Sequence, residues 1–334
     1  MRAVKLVAHG SLDNLVYDPS YPDPKPGPGE VVVRVRACSL NYHDVFTVRG
    51  MPGIKVPLPV VIGCDIAGEV AALGAGVSGW KSGDPVLINP LHPKRGLMGE
   101  MLDGGFAEYT CCMAEQLVAI PTGVTFAEAA SLPVAYGTAH RMMLTNGHIK
   151  AGETVLILGA SGGVGTCCVQ LARMMGCEVI ACASSEEKLA RLKELGADHV
   201  LDYTKEDFSK WVLARYGKPQ RRSFEGGVDV IVNYTGGDTW VPSLRALKRG
   251  GRLLTCGATV SYDPKEDIRY IWTFELKVLG SNSWTVGDLE ALLAMVREKR
   301  MHIPIDKTLP LAEAAEAVRI LRDREVFGKV VVVP

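Results

Sequence analysis

Two kinds of hydrophobic patterning divide the chain near residue 130. Before it, short β-branched runs are punctuated by glycine and proline: Val31–Ala37, Val60–Ile62, Ala67–Ala71 and Pro85–Ile88. Runs of this length and composition predict strands. The stretch from Tyr21 to Gly29 holds a proline at every second position or so and excludes helix. Asn89 to Gly105 reads as a long loop rich in Gly, Pro and Met. The sum predicts a small barrel-like β domain. Beyond 130 the period changes. A helical pattern over 135–144 precedes the apolar run Thr154–Leu158, and a second helix carries Val164, Cys168, Leu171 and Met175 on one side. Strand patterns Glu178–Cys182, His199–Leu201, Val228–Val232, Arg252–Thr255 and Lys277–Leu279 then alternate with helices over 186–195, 206–215 and 240–248. Such alternation predicts a doubly wound parallel sheet, an α/β fold. Residues 216–227 form a polar surface loop within that domain. A helix over 287–298 and a closing strand Val330–Val333 finish the chain.

The junction after Thr154–Leu158 is Gly159-Ala-Ser-Gly162-Gly-Val-Gly165. A buried strand, a glycine-rich turn and a helix N-terminus together make a site for phosphate, because backbone can approach the anion and first-turn amides point at it. Ala160 takes the first glycine of the G-x-G-x-x-G pattern, and Gly162 and Gly165 keep the other two. Ala160, Ser161, Gly162, Gly163, Val164 and Gly165 are therefore the candidate pyrophosphate turn, with a plain βα turn as the alternative. NAD-binding units of this kind place a carboxylate about 20 residues further on, against the ribose. Here the second strand ends in Cys182-Ala-Ser184 with no carboxylate, and Glu187 is assigned to a capping box with Ser184. Ser184, Lys188 and Tyr203 are the candidate donors to a 2′-phosphate, unless Lys188 is simply a solvated helix residue. NADPH is the predicted cofactor.

Composition narrows the setting. Apolar residues make up 47% and charged residues 22% of 334, as in an ordinary globular protein. Lys plus Arg and Asp plus Glu number 37 each, so no charge excess suggests nucleic acid or an anionic membrane as partner. No apolar run reaches the ~20 residues of a membrane helix, and the N-terminal run is too short for a signal peptide. Nine cysteines lie scattered with no C-x-x-C spacing. Reduced thiols, a cytoplasmic location and a small-molecule substrate are the resulting expectations.

The order of elements, with Leu40-Asn-Tyr-His-Asp44, Arg49-Gly50, Gly63-Cys-Asp-Ile-Ala-Gly68, Asp103-Gly-Gly-Phe-Ala-Glu-Tyr109, the Ala160–Gly165 turn and Phe327-Gly-Lys-Val, resembles the medium-chain dehydrogenase/reductase superfamily. The resemblance covers essentially the whole chain. It implies a GroES-like β-barrel catalytic domain over 1–130 and 284–334, wrapped around a Rossmann NADPH-binding domain over 131–283. It also implies a cleft between them where nicotinamide meets substrate, and places Gly257, Ser281 and Asn282 where loops touch nicotinamide. A homodimer joined near Val278 and Leu279, or a tetramer, is implied as well.

The departures carry information of their own. Zinc alcohol dehydrogenases of this superfamily have a cysteine where this chain has Asn41. They have a histidine and a glutamate at Cys64 and Asp65, and another cysteine near Val134. Residues 89–110, where the structural-zinc lobe would lie, contain no cysteine. The chain therefore resembles the zinc-free quinone-oxidoreductase branch, with no metal expected; Cys64, Asp65 and His43 remain an alternative metal set. Without a Lewis acid, hydride addition to an activated C=C bond of a quinone, enone or enoyl thioester is the expected reaction. Asn41, His43 and Tyr42 are the catalytic candidates, Asn41 as amide donor and His43 as proton carrier. The rival role for His43 is a histidine held by Asp44, and Tyr42 is assigned rather to packing. Asp44 and Arg49 are expected to pair, and Cys64 is either a reactive thiol or a buried inert one. The segment from Arg269 to Asn282 is similar to enoyl-thioester reductases. The competing functions are an alcohol or ketone dehydrogenase with an unconventional metal site, and a non-catalytic NADPH-binding protein.

Overall fold

The apolar N-terminal residues pair at once: β1 (Ala3–Leu6) runs antiparallel to β2 (Leu15–Asp18) in the computed structural model, which describes residues 1–334. The β-branched run after the prolines becomes β3 (Glu30–Ser39), the central strand of the first unit. It is followed directly by α1 (Tyr42–Arg49), then β4 (Val60–Val61), β5 (Asp65–Leu73) and β6 (Pro85–Ile88). Sequence periodicity gave no sign of α1, because its apolar and polar residues are spread around the helix. Tyr42 and His43 sit in the first turn of this helix. The long loop contains the small hairpin β7 (Leu91–His92) and β8 (Gly96–Leu97), and leads to β9 (Tyr109–Met113), β10 (Leu117–Ala119) and α2 (Phe126–Ala130).

The second unit spans Tyr136–Trp284. The helix expected over 135–144 is real but irregular: α3 (Thr138–His140) lies between wide π-helical turns, Leu132–Gly137 and Arg141–Asn146. The parallel strands are β11 (Thr154–Ile157), β12 (Glu178–Ala183), β13 (His199–Asp202), β14 (Val228–Val232), β15 (Leu247–Thr255) and β16 (Lys277–Gly280). Their order, β13-β12-β11-β14-β15-β16, reverses direction between β11 and β14, the crevice where doubly wound sheets bind dinucleotides. The helices are α4 (Gly163–Met174), α5 (Glu186–Glu194), α6 (Phe208–Tyr216), α7 (Trp240–Ala246) and the short α8 (Arg269–Thr273). On α4 the buried face is Cys167, Cys168, Leu171 and Ala172; Met175 lies past the last turn and is exposed. Helix α6 starts later than its pattern suggests, because the Asp207 carboxylate caps the amides of Ser209 and Lys210.

The chain then returns to the first unit, which comprises Met1–Ala135 and Thr285–Pro334. It adds α9 (Val286–Arg297), β17 (Ile305–Pro310), the amphipathic α10 (Ala314–Arg322) and β18 (Lys329–Val333). The large sheet of this unit runs β10-β6-β5-β3-β18-β17, with β9 also on β3. One edge of β3 pairs with β5 throughout. The other is shared: β9 takes residues 30–34 and β18 takes Cys38 and Ser39. No helix is long and apolar enough to cross a membrane.

Candidate cofactor and catalytic sites

In the second unit the cofactor candidates all fall along the carboxyl edge of the sheet. Gly162 is the N-cap of α4, and no side chain caps the first turn. A Cβ placed on Gly165 would lie 2.5 Å from Ala160 Cα, so only glycine lets the helix pack this tightly on the turn. A Cβ on Gly162 would meet nothing nearer than Gly159 O at 3.6 Å, which leaves room above the helix N-terminus for a ligand. Ala160 is buried and its amide donates to Cys182 O at 3.0 Å, tying the turn to β12; Ser161, Gly163 and Val164 are partly exposed. The turn thus fits a dinucleotide pyrophosphate.

The next loops extend this edge. Ser184 is exposed at the end of β12, and the Tyr203 amide donates to Ala183 O at 3.2 Å, which brings Tyr203 beside it. The expected capping box is corrected: Ser185, not Ser184, is the N-cap of α5, its hydroxyl accepting from the Lys188 amide at 3.3 Å. Either serine has the chemistry of a cap. The strand simply runs to Ala183, one residue further than its pattern suggests, and Ser184 stays outside the helix. Glu186 leans to Lys205 at 3.1 Å. Gly257 follows β15 in open space. Ser281 is buried after β16, its hydroxyl accepting from Asn146 at 2.9 Å, while Asn282 is exposed. Sequence reasoning missed Asn233, at the end of β14. Its carboxamide is fully buried, accepts from the amides of Thr235 and Gly236 and donates to Thr239 and Ser243, so it shapes the loop at the switch point.

In the first unit the catalytic candidates meet a buried polar cluster. Asn41 is the N-cap of α1, and its amide donates to Asp44 Oδ2 at 2.8 Å. The Asn41 side chain turns inward: Nδ2 donates to Asp65 Oδ2 at 2.8 Å and Oδ1 accepts from Lys329 Nζ at 2.6 Å. Lys329 also donates to Leu40 O at 2.7 Å and lies 3.4 Å from Asp65, with 2% and 0% of the two side chains exposed. The second Asp65 oxygen accepts from the Val134 amide at 2.9 Å. Burial pushes the Asp65 carboxyl up to about 6, although Lys329, Asn41 and Val134 all favour its charged form. Burial likewise lowers the Lys329 ammonium, which Asp65 and Asp44 hold charged. Lys329 was not foreseen, although it stands in the quoted Phe327-Gly-Lys-Val motif; a lysine opening an apolar closing strand is the signal that could have found it.

One expectation for this unit, an Asp44–Arg49 pair, is corrected, and two alternatives, an Asp44-held His43 and a metal set, are not found. His43 bonds through Nε2 to Glu100 Oε2 at 2.6 Å, not to Asp44. Glu100 comes from the long loop, and no motif pointed to it. Asp44 is committed to the Asn41 amide and to the Cys64 thiol at 3.5 Å rather than to Arg49, at the other end of α1. Tyr42 packs edge-on against Phe46, ring centroids 5.1 Å apart. Cys64 is fully buried, and burial first, then Asp44 and Asp65, push its thiol well above the usual range, the condition of an inert cysteine. Cys64, Asp65 and His43 do not assemble into a metal set: nowhere do three His, Cys, Asp or Glu side chains converge on a point. The Asp65 carboxylate already faces an ammonium, so these donors do not fit zinc.

Comparison with known proteins agrees with this architecture. Residues 27–122 match the family model "Alcohol dehydrogenase GroES-like domain" and residues 163–298 match "Zinc-binding dehydrogenase". An acryloyl-coenzyme A reductase of Sulfurisphaera tokodaii is 32% identical over 94% of this chain and 95% of its own length. The crystal structure of an NAD-dependent alcohol dehydrogenase superposes with a TM-score of 0.92 at 36% identity, over 100% of both chains. The structure of the 2-octenoyl-CoA carboxylase reductase CinF in complex with NADP and 2-octenoyl-CoA gives 0.87 at 28% identity, over 99% of this chain and 87% of that one. With a GroES-like unit, a nicotinamide-binding Rossmann unit and relatives alike along most of their length, the chain belongs to the medium-chain dehydrogenase/reductase superfamily of oxidoreductases.

Proposed function

We propose that this oxidoreductase uses NADPH to reduce a C=C bond activated by a neighbouring carbonyl, with an enoyl thioester as the preferred substrate class and enones or quinones as simpler acceptors. The observation that carries the reading is the Lys329 ammonium bonded to Asn41 beside Asp65. A fixed protein cation stands among the positions where zinc-dependent members of the superfamily keep ligands. The acryloyl- and 2-octenoyl-thioester names of the relatives support the substrate class.

Nicotinamide, when bound, would supply the hydride that the β-carbon requires. The chain must then hold the cofactor, stabilise an enolate oxygen and deliver a proton to the α-carbon. Residues Ala160 to Gly165 receive the pyrophosphate, with Gly257, Ser281 and Asn282 further along the same edge. Ser184, Lys188 and Tyr203 receive the 2′-phosphate, β12 ending without the carboxylate that NAD-binding units carry there. Asn41 has one amide hydrogen beyond the one given to Asp65, and the network holds that hydrogen in a fixed direction. His43 is the proton carrier, being a partly exposed imidazole next to this network.

The test is turnover by metal-stripped protein. NADPH oxidation with crotonyl or acryloyl thioesters, at a rate unaffected by chelator, is the expected result. No turnover on thioesters, enones or quinones would refute it. The alcohol dehydrogenase structure at 36% identity favours a second reading, an alcohol or ketone dehydrogenase. Stoichiometric zinc with chelator-sensitive alcohol oxidation would establish that reading instead.

A further inference from the structure

We propose that Glu100 is a positioning residue that fixes which nitrogen of His43 carries the transferable proton. The proposal rests on the reductase reading above. The Glu100 side chain is 8% exposed and that of His43 28%, with 2.6 Å between Oε2 and Nε2. A carboxylate this buried is costly unless a donor meets it, and His43 is its side-chain partner.

The neighbouring charges are already committed. Asp44, on the helix of His43, holds the Asn41 amide and the Cys64 thiol. Asp65, on β5, faces Lys329 of β18 and the Asn41 amide group. Glu100 is the carboxylate that bonds the imidazole directly. The backbone holds it there: Gly104 N donates to Val61 O at 2.7 Å and Gly105 N to Gly63 O at 2.8 Å. A Cβ on Gly104 would lie 2.3 Å from Gly63 O, so the loop sits flush against the start of β5.

With Nε2–H given to Glu100, Nδ1 is the atom that gains and loses the proton. In the reaction the Nδ1–H bond breaks as the α-carbon–hydrogen bond forms. The imidazolium becomes the neutral Nε2–H tautomer, and water restores its proton. Burial alone lowers the affinity of His43 for a proton, but Glu100, with Asp44 and Asp65, raises it above the ordinary value. The charged donor therefore persists to higher pH than a free histidine would.

The experiment uses the full-length protein and the variants Glu100→Gln, Glu100→Asp, His43→Asn and His43→Asn/Glu100→Gln. Glu100→Gln is expected to lower kcat with crotonyl thioester about tenfold or more and to move the alkaline limb of the pH profile to lower pH. Glu100→Asp, which keeps the charge, should fall between it and the parent. In the His43→Asn background, Glu100→Gln should change kcat less than about twofold. Equal losses in both backgrounds, or an unmoved alkaline limb, would overturn the proposal. Nitrogen NMR of the histidines needs no turnover: the neutral His43 ring should be the Nε2–H tautomer in the parent and lose that preference in Glu100→Gln. A parent ring in the Nδ1–H form sinks the proposal whether or not the protein is a reductase.

Discussion

Two glycines three residues apart should fail in opposite ways when each is replaced by alanine. A methyl group on Gly165 would lie 2.5 to 2.6 Å from the Cα, carbonyl carbon and carbonyl oxygen of Ala160. Those are backbone atoms of a turn tied to β12 by the bond from the Ala160 amide to Cys182 O, so α4 or the turn itself must move. Overpacking of this kind costs about 1–3 kcal/mol, or roughly 2–10 °C in Tm for a unit of this size. Gly162 has an ordinary φ of −84° and its added methyl would meet only Gly159 O at 3.6 Å. Gly162→Ala should therefore cost only a few tenths of a kcal/mol to about 1 kcal/mol in stability. Its methyl would instead occupy the space into which the pyrophosphate descends, and a tenfold or greater rise in Kd, about 1.4 kcal/mol or more, is expected. Thermal melts of the ligand-free variants and calorimetric titration with NADPH separate the two. A Gly165→Ala variant that melts like the parent, or a Gly162→Ala variant that binds NADPH like the parent, would refute the assignment of this turn.

Lys329→Met strands the buried Asp65 carboxylate and the Asn41 and Leu40 oxygens, at a cost of roughly 3–5 kcal/mol at pH 8. Asp65 is raised to about 6 in the fold against ~3.9 unfolded, so its contribution to stability is complete below about pH 4 and is lost as pH rises through 6. Removing the ammonium raises it further, so urea melts should show a smaller deficit at pH 5 than at pH 8; equal deficits would contradict the pairing. Lys188→Ala should raise Kd for NADPH about tenfold and leave NADH unchanged, whereas parallel changes by titration would remove Lys188 from the phosphate site. Strand β16 is a sheet edge with Val278 40% exposed, and we expect two copies to join there. Val278→Lys should then sediment as monomer, and an unaltered dimer would place the contact elsewhere.

What could be read from the sequence was local. The strand, turn and helix at residues 154–174 announce themselves because apolar runs, glycines and a 3.6-residue stripe are short-range signals. The six parallel strands of the second unit follow for the same reason. Ser184 and Ser185 show the limit of such reading: both can cap a helix, and only the extent of β12 decides between them. Helix α1 was hidden because it buries Asp44, Val45, Thr47 and Val48 with no apolar stripe to mark a face. The buried polar cluster around Asn41 was hidden by distance. Lys329 reaches Asn41 across 288 positions and Asp65 across 264, and Glu100 meets His43 across 57. Asn41 and His43 were identifiable by resemblance; what holds them was not.

Because β17 and β18 belong to the first unit but follow the whole second unit along the chain, the first unit's sheet stays unfinished until they are made. Until then Cys38 and Ser39 of β3 present open hydrogen-bonding groups, and Asp65 has no cation to meet it. Residues 136–284, an uninterrupted segment, suffer no such delay and can settle first. A nascent polypeptide stalled before Lys329 would thus carry a completed nucleotide-binding half beside an N-terminal half that is sticky at one sheet edge and short of one charge, a natural target for chaperones and an easy one for proteases.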